Sequence, residues 1–243
     1  FPLKVWQLDA LQEQAVGENL FLGLIYGVIL AMLLYNLFIY LSLRDSAYFW
    51  YVVTTTGALL MILAMTGHGF QYLWPNGPVP FWLDHISIPA LWGFSACRFT
   101  QTLLQTRQFV PWAHRLLTFA LTLYVTAVLL NAFGCRAFGA WVFVALALTA
   151  IPASLWASFR RWRQGYFPAL LYLLGCGVIL GSVNLLLLRA TGVVQPAAWN
   201  AYLFPLAVTA ESILFSFALA YRRSSSRNGQ QRWSMPIRKR ARD

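Results

Sequence analysis

Charge is scarce in this 243-residue chain. Only 10% of its residues are Asp, Glu, Lys or Arg, against about 25% in an ordinary soluble domain. Hydrophobic residues make up 59%, and mean hydropathy is +0.60. That composition excludes a soluble globular domain and fits an integral membrane protein. Lysine is almost missing: Lys4 and Lys239 lie outside every apolar run. No lysine is therefore placed for a Schiff base inside a late helix, which excludes a retinal protein. Three cysteines, Cys97, Cys135 and Cys176, are odd in number and scattered, so they form neither a disulfide framework nor a metal spacing. The metalloprotease pattern HExxH, the aspartyl pattern GxGD and the phosphate loops GxxxxGK[ST] and GxGxxG are absent. "GFSAC" (93–97) sets a serine in a loosely protease-like context, but no histidine follows His114 to act as its base. No enzyme, cofactor site or metal site is visible in these residues.

An export signal is missing too. Residues 1–19 hold one Lys, three acids and no apolar core, which excludes a signal peptide. Because the chain opens on Phe1, it is expected to be a fragment or processed form of a longer product. The net charge of +11 does not describe a nucleic-acid-binding face. Eight Lys/Arg and one acid fall from Arg222 onward, leaving +4 for all that precedes.

What the chain does have is apolar runs. A spanning helix needs about 20 mostly apolar residues. Seven runs qualify: 20–43, 47–65, 80–104, 116–133, 138–158, 166–188 and 199–221. The third is the weakest, because it contains Asp84, His85, Pro89 and Arg98. Short polar breaks separate the runs, so a single bundle is expected: an all-α integral membrane protein, a seven-transmembrane helix bundle over 20–221. Lys/Arg placement orients it. With the N-terminus outside and the C-terminus cytoplasmic, fifteen Lys/Arg face inward and three (Lys4, Arg136, Arg189) face outward. The basic segment 222–243 is expected to be a disordered cytoplasmic tail.

Within the first run, Tyr26, Ile29, Leu33, Asn36 and Tyr40 share one face, which should meet protein and not lipid. Gly23/Gly27 and Gly177/Gly181 form GxxxG pairs that can mark close helix contacts. Asp84 and His85 near the outer end, with His68 in the preceding loop, are better explained by interface solvation than as a metal or proton site. The "RRWR" arginines can attract anionic headgroups of the lipid bilayer, although topology alone explains them.

Glu211 stands apart. It lies in the middle of "AVTAESILFSFALAYRR", about 15 Å from the inner end. A charge at such depth costs roughly 2.5–3.5 kcal/mol. Apolar neighbours offset that cost, but the side chain should face the bundle and find a partner. Depth counting nominates Arg98 or Asn36; Asn184 is a poorer match. One alternative is a switchable Glu211–Arg98 or Glu211–Asn36 contact. The plainer one is a protonated, satisfied glutamate that fixes packing. Pro205, six residues away, is expected either to kink the helix or to cause a harmless bend.

Four stretches resemble a known family. "YGVILAMLLYNLFIYLSLRDSAYFWYV" (26–52) resembles the first two helices of the bacterial seven-transmembrane receptors with diverse intracellular signalling modules. The match rests on Tyr26-Gly27, Tyr35-Asn36, Leu43-Arg44-Asp45 and Tyr48. "GFQYLWP" (69–75), "RFTQTLLQTRQFVPWAHRLL" (98–117) and "AESILFSFALAYR" (210–222) are similar to an outer loop, an inner junction and the closing helix of that family. The resemblance covers about residues 20–223. It implies a multi-pass signalling relay in a bacterial inner membrane. An extracytoplasmic β-rich domain would precede it, with 1–19 as its end, and would take a small-molecule or carbohydrate ligand. A cytoplasmic output domain, such as a diguanylate cyclase or a histidine kinase, would follow. Receptors of this kind can form a homodimer. The resemblance carries over no catalytic residue. Glu211, Asn36, Arg44 and Asp45 match its polar positions. Arg44 and Asp45 would fix the inner turn, and Glu211 with Asn36 or Arg98 would form the coupling contact. The competing expectation is a stand-alone small-solute transporter or channel, with Asp84, Arg98 and Glu211 lining a path.

Overall fold

The computed structural model describes residues 8–73, 86–192 and 202–240. All regular structure among them is helical. In chain order the elements are α1 (Leu8–Leu43), α2 (Ser46–Thr66), a π-helical turn (Gly69–Leu73), α3 (Ser87–Leu103), α4 (Thr106–Phe109), α5 (Pro111–Ala132), α6 (Arg136–Arg163), α7 (Phe167–Ala190) and α8 (Leu203–Arg240). As far as the described residues reach, each expected apolar run falls on one long helix; residues 80–85 of the third run, with Asp84 and His85, and 199–201 of the seventh lie outside the described residues.

Five of these helices carry segments long and apolar enough to cross a membrane: Val16–Leu43, Ser46–Thr66, Pro111–Ala132, Phe167–Leu186 and Leu203–Ser224. Large apolar side chains such as Leu24, Phe38, Phe119 and Phe217 are exposed on them. In water such a surface would be a liability; in a bilayer it is solvated by lipid. The chain is a multi-pass membrane protein.

The helices pack as a closed circuit. α1 lies on α2, α2 on α3, α3 on α5, α5 on α6, α6 on α7 and α7 on α8, and α8 returns to α1 and α2. Glycines permit the closest approaches, but not the glycines of the GxxxG pairs. Gly23, Gly27, Gly177 and Gly181 have nothing within 4 Å of where a Cβ would stand. The working contacts are Gly57 against the Trp92 backbone, Gly93 against the Tyr124 ring, and Gly175 against Phe215 and Glu211. Spacing in sequence set the two pairs apart; azimuth in the bundle decides which glycines meet a neighbour.

Local chemistry explains the helix ends. Arg44 turns the chain with φ 51°, and its amide donates to the Tyr40 carbonyl at 2.6 Å. Asp45 then caps α2, accepting from the Ala47 amide at 2.9 Å. Gly67, at φ 81°, closes the helix in the left-handed conformation. α5 begins at Pro111, where a missing N–H costs nothing. α8 starts only at Leu203, so Pro205 sits in its first turn and needs no kink.

α8 continues to Arg240, through the basic segment expected to be a disordered tail.

At the end of the bundle that carries Asp45 and Arg222, here the basic end, Arg161 turns inward. Its guanidinium lies 3.6 Å from the Phe109 ring centroid and 4.4 Å from that of Tyr166, and it is 6% exposed. Tyr166 donates to the Leu103 carbonyl at 3.0 Å, tying α3 to the head of α7. Arg160 and Arg163 remain exposed, so one arginine of the "RRWR" run is a packing element.

Candidate functional site

The polar groups inside the bundle converge on α8. Glu211, Phe215, Leu219 and Arg222 recur at steps of three and four, so they form one stripe. Ser212 and Ser216 run beside it. Together these residues touch five other parts of the chain.

At its upper part lies an aromatic cluster. Tyr172 of α7 stacks on Phe215 with centroids 4.9 Å apart and planes 3° from parallel. Phe99 of α3 meets Phe215 at 5.0 Å and Tyr51 of α2 at 6.0 Å. The two phenols are anchored: Tyr51 donates to the Ser212 carbonyl at 2.8 Å, and the Tyr172 hydroxyl bonds that of Thr100. Buried hydroxyls need such partners.

Glu211 stands beside this cluster. Its Cγ would lie 3.4 Å from a Cβ on Gly175, so the glycine makes room for the carboxylate side chain. Tyr51, Tyr172 and Cys176 lie within electrostatic reach of it. Neither expected partner is in place. Arg98 is exposed; it reaches Gln101 at 3.4 Å and lies 5.3 Å from the Trp50 ring centroid. Counting along α3 does not fix which way a side chain points. The next two residues, Phe99 and Thr100, are buried inside the bundle, and one residue is about 100° of helix rotation.

Asn36 is fully buried, but its partner is not Glu211. Its Nδ2 donates to Ser216 Oγ at 2.9 Å and to the Met32 carbonyl at 2.8 Å. Its Oδ1 is buried without a partner. The α1 stripe behaves as the spacing predicts: Ile29 and Asn36 are buried, and Tyr26, Leu33 and Tyr40 are half-buried.

Lower on the stripe, Arg222 pairs with Asp45 at 3.4 Å. Asp45 thus serves two helices, capping α2 and holding α8. Tyr51 and Tyr172 were not singled out from sequence, and Arg222 and a serine of 210–222 only as positions of the resembling closing helix, without a partner. Their signal was a hydroxyl or cation on the protein-facing side of an apolar run, which becomes visible only once the facing helix is known.

At the opposite end, His68 is saturated. Its Nδ1 bonds Tyr26 at 2.9 Å and its Nε2 bonds Asn19 at 3.0 Å, while Tyr26 also bonds Thr66 at 2.8 Å. No group of three His, Cys, Asp or Glu among the described residues could hold a metal.

Among the described residues, no hydroxyl on the α8 stripe is bonded to a histidine. What the arrangement can do is hold one long helix by separate polar contacts to α1, α2 and the α1–α2 turn, with its aromatic face on α3 and α7. No curated protein and no solved structure matches the chain. A family model described as 7TM diverse intracellular signalling matches residues 18–222. The match spans most of the chain, and the chain therefore belongs to this family of membrane signalling receptor domains.

Proposed function

We propose that the chain is the relay module of a receptor in a bacterial inner membrane. Its seven long helices all cross the bilayer, with the N-terminus outside and the basic end in the cytoplasm, as the arginine distribution favours. It passes an extracytoplasmic ligand signal to a cytoplasmic output domain such as a diguanylate cyclase or a histidine kinase. The ligand is a small molecule or a carbohydrate, and the receptor works as a homodimer.

The observation that carries this proposal is the run of contacts along α8. Tyr51, Asn36 and Asp45 each bond it, at the Ser212 carbonyl, Ser216 and Arg222 respectively. Beyond Arg222 the helix continues to Arg240. A signal needs an element with two arrangements that both sides bias. A helix held by a few polar contacts, each worth about 0.6 kcal/mol in a membrane, can be shifted by modest ligand energy. Glu211, Asn36 and Asp45 are the coupling residues in this scheme. Arg98 is left without a role in it.

The test is to express the chain with its genomic flanks and read output activity against ligand. Glu211→Gln and Asn36→Ala should change the response at equal membrane abundance. A response identical to that of the unmodified receptor in both variants would remove α8 as the relay.

A further inference from the structure

The three arginines of "RRWR" end in three different settings. Arg161 is buried on the rings of Phe109 and Tyr166. Arg163 is exposed and lies 5.9 Å from the Phe159 ring centroid. Arg160 lines a cavity of about 390 Å³, together with Phe109, Val110, Pro111, Trp112 and Trp156. The cavity lies at the basic end, where the α4–α5 junction faces α6. Its volume is within the range of small-ligand sites, about 300–1,000 Å³.

Its place along the helices is that of a membrane surface. The apolar segment Pro111–Ala132 begins at the cavity. Trp112 and Trp156 are about half exposed there, as in an aromatic belt. On α6, Arg160 stands one turn outward of Trp156, and the exposed Ile151 lies further in. On α5, the exposed Phe119 lies two turns inward of Trp112 on the same side. The order from outside to inside is a cation, then indole rings, then apolar side chains. A phospholipid presents its phosphate, glycerol and chains in the matching order.

The electrostatics favour an anion. The N-terminus of α5 opens on the cavity, and its cap residue Val110 has no side chain that can accept from the first-turn amides. Such a helix end attracts negative charge. Behind the Phe109 wall stands the Arg161 guanidinium, its Nε buried without a hydrogen-bond partner. Residues 85–210, which supply all of α3 to α7, contain no Asp or Glu. The helices that form the cavity therefore offer Arg160 no carboxylate of their own. Among the described residues, the carboxylate at this end is Asp45, and it is paired with Arg222. Basic pockets between membrane helices bind anionic headgroups by this chemistry.

We propose that this cavity binds one anionic phospholipid, its phosphate on Arg160 and the N-terminus of α5, its chains on Trp156, Ile151 and Phe119. Arginine suits a phosphate because its fork donates two parallel hydrogen bonds. The proposal does not rest on the relay assigned to α8, because α8 does not line the cavity. It also separates the arginines of one run: Arg161 packs, Arg160 binds, and Arg163 adds only surface charge.

The full chain, delipidated in a neutral detergent, can be titrated with phosphatidylglycerol and with phosphatidylcholine and read by native mass spectrometry. The expected result is saturable retention of phosphatidylglycerol, tenfold or more tighter than that of phosphatidylcholine. Arg160→Gln should weaken it tenfold or more with unchanged helicity. Arg163→Gln removes an equal charge from the same turn but outside the cavity, and should weaken it threefold or less. Trp156→Ala should weaken it too, and serves as the second variant if Arg160→Gln does not fold. Glycerol 3-phosphate, the soluble counterpart, should displace the lipid only at a hundredfold or greater excess. Equal retention of the two lipids, or equal loss in the two arginine variants, would overturn the proposal in favour of diffuse surface charge. Displacement by glycerol 3-phosphate at a concentration matching that of the lipid would overturn it in favour of a free-phosphate site.

Discussion

Asn36 of α1 donates to Ser216 of α8 across 180 positions of sequence, at 2.9 Å. The bond closes the helix circuit at its seam, where the first helix meets the last. It is also incomplete, because Asn36 Oδ1 is buried with no partner. A half-satisfied buried amide is a contact with little to lose when the helices shift.

Asn36→Ala should therefore cost little stability and much signal. Interhelical hydrogen bonds in membranes average about 0.6 kcal/mol and reach about 1.7, so unfolding by denaturing detergent should shift within that range. Output measured in the same receptor should change severalfold. A large stability loss with a normal ligand response would instead make Asn36 a structural residue.

Glu211→Gln removes the ionisable carboxyl from the middle of α8 and keeps the shape. The insertion cost of roughly 2.5–3.5 kcal/mol for a central charge gives no reason for the variant to be less stable. Thermal unfolding in nanodiscs should show an equal or higher midpoint, together with altered output. Because Arg98 does not touch Glu211, the double variant with Arg98→Gln should be additive in stability. Strong coupling between the two would restore the pair that depth counting suggested.

Gly175→Ala should separate α7 from α8. Its Cβ would stand 2.8 Å from Phe215 Cε1 and 3.4 Å from Glu211 Cγ. Phe215 is stacked on Tyr172 and cannot easily yield. Overpacking of this kind costs about 1–3 kcal/mol. Gly177→Ala and Gly181→Ala, with open space at both positions, should be near neutral in the same unfolding assay.

Asp45 has two jobs, and substitutions can separate them. Asp45→Asn keeps a side-chain oxygen to cap α2 and removes the charge facing Arg222. Asp45→Ala removes both, adding the loss of a cap, about 1 kcal/mol. The pair with Arg222 is partly exposed, and such pairs contribute about 0–1 kcal/mol. The expected order of stability is wild type, then Asp45→Asn close to Arg222→Gln, then Asp45→Ala. If Asp45→Asn were as damaging as Asp45→Ala, the ion pair and not the cap would hold the turn.

What the sequence determined by itself is the class of molecule and the place of its helices along the chain. Those follow from one-dimensional properties: about 20 apolar residues make a span, Arg44-Asp45 makes a turn, and a three- and four-residue step from Tyr26 to Tyr40 makes a protein-facing stripe. The family likeness rests on the same local runs. Which residues meet was decided only by tertiary structure. Sequence gave Glu211, Asn36 and Arg98 similar depths, but a contact also requires the right rotation about each helix axis. α3 turns Phe99 and Thr100 inward and leaves Arg98 outside; α1 aims Asn36 at Ser216, five residues past Glu211. The same rotation left both GxxxG pairs without a neighbour and gave Gly175 the close approach. A helix's sequence sets its length, its ends and its apolar faces, whereas its neighbours set which of those faces is used.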